Sequence, residues 1–122
     1  MAAGNYNFTI EQGATFTRTL KYKDSNGNPI NLEDHAIRMQ IREKISSTNT
    51  IISLTESATS NGSIISVITT GDKNSFTIKI TAADTTAMSF DQAVYDLEIE
   101  KDNNVTRLLQ GRVKLSKEVT RD

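Results

Sequence analysis

The sequence of 122 residues has no cysteine and no tryptophan, and it has one proline and one histidine. Without cysteine the chain can form no disulfide, thiolate nucleophile or cysteine-based zinc site, and such a composition is typical of proteins made in a reducing cytoplasm. One histidine is too few for a multi-histidine metal site within a single chain. The sequence also lacks a signal-like N-terminus and any run of about 20 apolar residues, so we expect neither standard export nor a membrane partner.

An excess of charge of one sign is also missing. The 14 basic and 15 acidic residues give a formal net charge of −1, and the two signs are interspersed along the chain. A protein without a broad basic field attracts phosphate backbones poorly, so we expect no nucleic-acid partner. Hydrophobic residues make up 36% of the sequence and charged residues 24%, which suffices for one folded core. This length predicts a single domain over residues 1–122.

The strongest pattern in the sequence is the alternation of apolar and polar residues with period two, which places every second side chain on one face of a strand. In residues 14–23, Phe16, Leu20 and Tyr22 alternate with threonine and lysine, and Arg18 is the exception on the apolar side. The same alternation, in places weaker, predicts further strands at residues 6–10, 50–54, 63–69, 76–81, 93–100 and 109–115.

Residues 33–45 fit either a helix or a strand. Ile37 and Ile41 lie four apart, as on one helical face, but a helix would turn Met39 about 200° from Ile37, onto the polar side. A strand groups Ile37, Met39 and Ile41 on one face and the intervening polar residues on the other. We therefore predict a strand here.

A short helical turn is predicted near residues 82–88. Alanines in this segment favour a helix, and Thr81 and Asp84 have the spacing of a capping box, in which each side chain binds the backbone N–H group of the other residue. The segment lies between two predicted strands, so we expect one turn of helix and no more.

Polar turns separate the predicted strands. Asn26-Gly27 is a pair that tolerates positive φ at both central positions of a hairpin turn, and residues 101–104 predict a second short hairpin. About seven to eight strands joined by such turns predict an all-β fold, an antiparallel β-sandwich. The alternation predicts a core that contains Ile37, Met39, Ile41, Phe76, Ile78, Ile80, Tyr95, Leu97, Ile99, Val113 and Leu115.

One turn has a partial match to a calcium-binding loop. Asp24, Asn26 and Asn28 occupy the first three ligand positions of such a loop, whose oxygens must converge on one cation. The remainder does not fit, because Pro29 stands where the sharp turn needs glycine and the twelfth position is His35 instead of a bidentate glutamate. The segment is therefore predicted to be a plain hairpin turn without a metal.

Other candidate catalytic groups are weak. His35 has no Gly-x-Ser-x-Gly nucleophile motif to accompany it and is predicted to be a surface residue beside a turn. Asp96, Glu98 and Glu100 share one face of a strand, where a carboxylate pair could carry out acid–base chemistry. A charged outward face balanced from the neighbouring strand by Arg112 and Lys114 explains them better. We therefore predict no catalytic, metal-binding or cofactor-binding residue, and a protein that is not an enzyme.

The order of the segments carries a resemblance to a known family. In order, these segments are the strand start Gln12-Gly13, the hairpin Asp24-x-x-Gly27-x-Pro29-x-x-Leu32, the alternating residues 37–42, the strand Tyr95-Asp96-Leu97 and the closing residues 109–113. With these segments in this order, the chain resembles small phage proteins related to the N-terminal domain of phage baseplate upper proteins. The resemblance spans nearly the whole chain.

The resemblance implies an Ig-like β-sandwich that builds phage tails or baseplates, often by linking a tail hub to fibres. It implies a protein made in the cytoplasm of the bacterial host and located in the virion, with other phage structural proteins and copies of itself as partners. The sequence stops soon after the last predicted strand, whereas baseplate upper proteins continue into a fibre-linking stalk. We therefore expect a free-standing adaptor or decoration subunit.

Two other functions stay open at the level of the sequence. A capsid decoration or head-to-tail completion protein would use a similar sandwich to contact the capsid or the portal. A host-surface or carbohydrate-binding module would display exposed aromatic residues for stacking on sugars. The three tyrosines lie mostly at strand positions that are predicted to face the core, which disfavours the binding module: Tyr6, Tyr22 and Tyr95.

The chain ends are predicted to be the contact elements of an assembly subunit. Strand edges with unpaired backbone groups accept strands from other chains, and terminal segments have few connections that constrain them. We predict arms at residues 1–5 and 117–122, and free edges at residues 5–10 and 113–119. Removal of residues 1–10 is therefore predicted to impair assembly more than folding.

Overall fold

Strands fill much of the chain, as the alternation predicts. A computed structural model describes residues 4–120, and within this range it contains nine strands and one helix. Their bounds are β1 Gly4–Asn5, β2 Phe8–Glu11, β3 Phe16–Lys21, β4 Ala36–Arg42, β5 Ile52–Leu54, β6 Ile64–Val67, β7 Ser75–Ile80, α1 Ala82–Thr86, β8 Gln92–Lys101 and β9 Asn104–Ser116. Each strand predicted from the sequence is present, and β1 is an addition.

The strands form two sheets packed face to face, which confirms the predicted all-β sandwich. The larger sheet has the order β1-β9-β8-β4-β5, with β2 also paired to β9, and the smaller sheet has the order β3-β7-β6. All pairs are antiparallel except those of β1 and β2 with β9, which are parallel. The pairing is therefore antiparallel, as predicted, except at this edge. There the first strands run alongside the last one, and Phe8 and Ile10 lie beside Val113 and Leu115 in the core.

The core lies between the two sheets and contains every residue that the alternation assigned to it. Strand β4 shows why the strand prediction for residues 33–45 is correct: Ile37, Met39 and Ile41 are all buried and face Ile99, Leu97 and Tyr95 of β8. Full burial of such a side chain contributes about 1.5–3 kcal/mol to the free energy of folding. Side chains from loops complete the core, among them Leu32, Met88 and Phe90.

A β-bulge shifts the alternation within β9. Alternation is regular from Val113 back to Leu109, which lies opposite Leu97 and packs half-buried against the core. The register then shifts between Leu97 and Glu98 of β8, and the next residue, Leu108, is buried as well. An extra residue on one strand of a pair reverses which parity faces inward beyond it. The periodic pattern alone therefore gives no sign that Leu108 is buried.

The short hairpin predicted at residues 101–104 is confirmed, whereas the turn at Asn26-Gly27 differs from its prediction. Asp102 and Asn103 both have positive φ, 53° and 68°, and form the two-residue turn between β8 and β9. At the other hairpin only Gly27 has positive φ, and the N–H groups of Gly27 and Asp24 bind the carbonyl oxygens of Asp24 and Asn28. This pattern is a three-residue loop with a left-handed glycine, so the two-residue turn expected at Asn26-Gly27 does not form there.

The helix is shorter than predicted and lacks the expected capping box. It spans Ala82–Thr86, and Thr81 stands at its N-cap without a side-chain hydrogen bond to the helix backbone. Asp84 turns instead toward the loop before β6, where it accepts hydrogen bonds from three side chains. The spacing of Thr81 and Asp84 was therefore a correct signal for the helix and a wrong one for its cap.

The described chain ends are built into the sandwich. Gly4 and Asn5 pair with β9, and the Tyr6 N–H group binds the Gln110 carbonyl oxygen. At the other end Lys117 pairs with Asp91, and the Glu118 N–H group binds the Gln12 side chain. The predicted free edge at residues 113–119 is therefore wrong, because β9 pairs with β8 on one side and with β1 and β2 on the other. Residues 5–10 do lie at an edge of the larger sheet, since β1 and β2 pair with β9 alone among the described strands. Of the predicted arms 1–5 and 117–122, residues 1–3 and 121–122 lie outside the described residues.

Candidate functional site

Gln12 and Gly13, which open the resemblance, join three parts of the fold. The Gln12 side chain donates to the Met88 carbonyl oxygen at 2.7 Å and accepts from the Glu118 N–H group at 3.1 Å. The Gly13 N–H group donates to the buried Thr85 hydroxyl at 3.0 Å. Gly13 has a φ of +85°, which only glycine adopts readily. These two residues therefore have a structural role.

Asp24 serves the hairpin turn. One of its carboxylate oxygens, Oδ1, accepts the N–H groups of Asn26 and Asn28, each at 2.9 Å. Such bonds from an aspartate to the backbone that follows it stabilise turns. The partial calcium motif is thus explained by turn formation, and no group of three or more His, Asp or Glu side chains converges within residues 4–120 as a metal site would require.

His35 differs in one respect from its prediction as a surface residue. Its side chain is half-buried, and its Nδ1 atom is buried without a hydrogen-bond partner in the described chain. The residue lies beside the β8–β9 hairpin, near Lys101 and Asp102. Its neighbours include no serine or threonine nucleophile other than Thr106, which stands on β9.

The acidic face of β8 is balanced by different residues from those predicted. Arg38, opposite Glu98 on β4, donates from Nε to Glu98 at 3.0 Å and from Nη1 to Glu100 at 2.9 Å. These hydrogen bonds raise the pKa of Arg38. Arg112 and Lys114, which we expected in this role, lie opposite Val94 and Gln92. Arg38 binds both glutamates and balances one of their two negative charges, so a structural ion pair accounts for this part of the face.

The outer face of the larger sheet holds a shallow depression that we call the arginine depression. It has a volume of about 450 Å³, and its ionisable side chains are Arg42, Arg107, Arg112 and Asp96. Three arginines against one aspartate leave an excess of two positive charges. Arg107 lies 3.5 Å from Asp96, and Arg42 binds the Ser47 carbonyl oxygen. The face therefore divides into a part around Arg38, where one arginine meets two glutamates, and a basic part.

The floor and rim of the arginine depression are partly apolar. Val94 lies between Arg42 on one neighbouring strand and Arg112 on the other. Ile45 stands at the rim with 89% of its surface exposed. Arginines around an apolar floor are the composition that protein–protein interfaces favour, whereas lysine is depleted there.

On one lateral side the two sheets are tied together by polar contacts, and we call this the closed side. The Ile65 N–H group of β6 binds the Thr55 carbonyl oxygen after β5, at 2.9 Å. Asp84 accepts hydrogen bonds from Ser63, from Thr59 at 3.1 Å and from Asn61 at 2.8 Å. Burial alone would raise the pKa of Asp84, but these three hydrogen bonds outweigh it and hold the pKa below its usual value.

On the opposite lateral side, the open side, a groove separates β3 from β1 and the beginning of β9. Its volume is about 390 Å³. Its ionisable side chains besides tyrosine are Lys21, Lys23 and Arg107, all basic. Its walls are otherwise mainly apolar and include Tyr6, Leu20, Tyr22, Phe76, Leu108 and Leu109.

Arg18 lies on the open side between the edges of the two sheets. Its guanidinium carbon is 5.3 Å from the ring centre of Phe16 and 5.9 Å from those of Tyr6 and Phe8. Its Nε atom is buried and has no hydrogen-bond partner in the described chain. The sequence signalled this residue, because Arg18 interrupts the apolar parity of its strand. The groove gave no such signal, since it depends on the bulge that buries Leu108.

Neither a protein-family model nor a curated protein sequence matches the chain. The phage family therefore stays a prediction from the sequence. Within residues 4–120 no helix has the length and the apolar character needed to cross a membrane.

Proposed function

We propose that this chain is a structural subunit of a bacteriophage particle, in the tail, the baseplate or the fibre attachment, and that it acts by protein–protein assembly without catalysis. The resemblance in segment order supplies the phage context. Its partners are other phage structural proteins and further copies of itself, and it works in the virion.

The observation that carries the proposal is the arginine depression on the larger sheet. Arginine presents a planar, weakly hydrated cation that forms paired hydrogen bonds with carboxylates, and it is enriched at the centres of protein interfaces. Here Arg42 and Arg112 flank Val94, and Ile45 adds exposed apolar surface at the rim. A partner surface with carboxylates around an apolar contact would complement it in both charge and shape.

Crosslinking of purified particles tests the proposal. The particles come from cells that carry the gene in its native genome, and mass spectrometry measures the copy number and the crosslinked peptides. We expect the chain in the particle at a stoichiometry that matches a symmetry of the tail, with crosslinks to tail or baseplate proteins. A chain that is abundant in the cells but absent from the particles would contradict the proposal. Crosslinks to the capsid or portal would instead favour the decoration or completion alternative.

A charge reversal in the arginine depression tests the contact face itself. Arg112 is exposed, so Arg112→Glu should leave the melting temperature nearly unchanged and reduce incorporation into particles at least tenfold. Lys79→Glu makes the same charge change at an exposed position of the smaller sheet and serves as the control. Equal incorporation of the two variants would show that the arginine depression is not the contact face.

A further inference from the structure

On the open side each sheet ends in an edge strand within residues 4–120, and the edge strand of the smaller sheet is β3. Among the described strands, β3 stands at the end of the smaller sheet and pairs with β7 alone. The Tyr22 N–H group binds the carbonyl oxygen of Asn74, which follows the register of β3 and β7. In an antiparallel pair, residues that bond to the partner strand alternate with residues whose backbone groups point away from it. By this alternation, Thr17, Thr19 and Lys21 direct their backbone N–H and C=O groups away from β7.

This edge borders the apolar groove of the open side. A strand added beside β3 would extend the smaller sheet, and every second side chain of that strand would point between the two sheets. The inward position opposite Leu20 would meet Leu108 and Tyr6 across the groove. The groove therefore offers apolar contacts to alternate side chains, while the β3 edge offers backbone hydrogen bonds. These are the two elements by which a sheet edge binds an extended peptide.

Arg18 specifies the charge of the added strand. Directly opposite positions on neighbouring strands lie about 4.5–5.5 Å apart at Cβ, so a side chain opposite Arg18 would reach its guanidinium. A carboxylate there would supply the partner that the buried Nε atom lacks. Arg18 itself lies beside the groove, against Tyr6, and the cations that line the groove, Lys21, Lys23 and Arg107, favour the same sign.

We propose that the open side binds an extended, acidic segment of a partner protein, which adds a strand to β3, places apolar side chains in the groove and pairs a carboxylate with Arg18. A second copy of this chain is a poorer occupant. The described segment that alternates apolar and acidic residues is β8, which is already paired on both edges, with β4 and β9. The inference rests on the fold and does not depend on the proposed place in a phage particle.

Binding of designed peptides tests the inference on the full chain. The probes are synthetic ten-residue peptides in which valine and threonine alternate, with one valine position replaced by glutamate at each place in turn. The readout is amide hydrogen exchange followed by nuclear magnetic resonance. We expect at least one peptide to slow exchange at Thr17, Thr19 and Lys21 at least tenfold and to leave Ile65 of β6 unchanged. The inference is wrong if no peptide slows exchange at the amides of Thr17, Thr19 and Lys21. It is also wrong if these amides are protected without peptide because two copies of the chain associate.

The pairing with Arg18 is tested separately by a pair of changes. Arg18→Met keeps an unbranched side chain against the three aromatic rings and removes the cation. We expect the best glutamate peptide to bind the wild-type chain at least tenfold more tightly than its glutamine analogue, and this preference to disappear in Arg18→Met. Lys79→Met is the matched control and should keep the preference. A preference for glutamate that survives in Arg18→Met would overturn the assigned pairing.

The strand addition itself is tested by removing backbone donors. Proline is tolerated on an edge strand where the N–H group points outward, so Thr19→Pro should remain folded and lose peptide binding. If this variant does not fold, the best peptide with N-methylated amides provides the same test on the wild-type chain. Binding that withstands N-methylation at every amide would show that the peptide does not bind as a strand.

Discussion

The two lateral sides of this sandwich differ in whether the polar groups at the sheet edges find hydrogen-bond partners within the fold. On the closed side, backbone and side-chain hydrogen bonds join β5 and β6, and Asp84 gathers three donors from the loop between them. On the open side, within residues 4–120, β3 pairs along one edge only, and the buried Nε atom of Arg18 has no hydrogen-bond partner. The polar groups of the closed side thus bond within the fold, whereas the outward backbone groups of the β3 edge point away from β7.

Deletion of residues 1–10 should have the largest effect, because it removes one wall of the open side. Phe8 and Ile10 are buried, and replacement of such a side chain by alanine costs about 2–5 kcal/mol. Their joint loss approaches or exceeds the whole stability of a typical domain, about 5–15 kcal/mol. We therefore expect the truncated chain to be unfolded by circular dichroism. Thr9→Ala, at an exposed position between the two, should fold normally. If the truncated chain folds, residues 1–10 are not needed for the core, and the segment is a free arm as the sequence predicts.

Disruption of the closed side should have the next largest effect. Asp84→Ala leaves the hydroxyl of the fully buried Ser63, together with Thr59 and Asn61, without their acceptor. Unsatisfied buried donors of this kind predict a loss of about 2–4 kcal/mol in the free energy of unfolding, measured by urea denaturation. Asp91→Ala removes an aspartate with an exposed side chain and should change stability by less than about 0.5 kcal/mol. Similar losses in both variants would mean that the cluster does not hold the closed side together.

The effect of pH should be smaller and should arise from the same cluster. The pKa of Asp84 is lower in the folded protein than its ordinary value of 3.8, so ionised Asp84 favours folding. This stabilisation is complete above the unfolded pKa and is lost as the pH falls through the folded pKa. We therefore expect the difference in unfolding free energy between wild type and Asp84→Asn to be constant from pH 7 to pH 5 and to shrink below pH 4. A difference that is unchanged at pH 3 would contradict the assigned hydrogen bonds.

Much of the fold could be predicted from the sequence because period-two alternation reports directly on burial. Ile37, Met39 and Ile41 show this best, since three buried residues at alternate positions outweighed a competing helical spacing. The failures arose where position depends on distant parts of the chain. The parallel pairing of β2 with β9 and the bulge that buries Leu108 are set by contacts between residues about a hundred positions apart or across a hairpin.

The candidate surfaces were less predictable than the core. The sequence marked Arg18 as an exception but gave no means of knowing which rings surround it, since Tyr6 and Phe8 lie on another sheet. It also paired Asp96, Glu98 and Glu100 with the wrong cations, because the register of β4 against β8 brings in Arg38. The motif residues Gln12, Gly13 and Asp24 stabilise loops and turns. The features that carry the resemblance therefore report on the fold and less on contacts with partner proteins.

Amide hydrogen exchange of the free protein tests the contrast between the two sides most directly. On the closed side the Ile65 amide is bonded to Thr55 and should exchange as slowly as global unfolding permits. On the open side the amides of Thr17, Thr19 and Lys21 point away from β7 and should exchange at least a hundredfold faster than Ile65, while the amides of Phe16, Arg18 and Leu20 in the same strand stay protected. If Thr17, Thr19 and Lys21 exchange as slowly as Ile65, the edge of β3 is already covered and the open side does not exist.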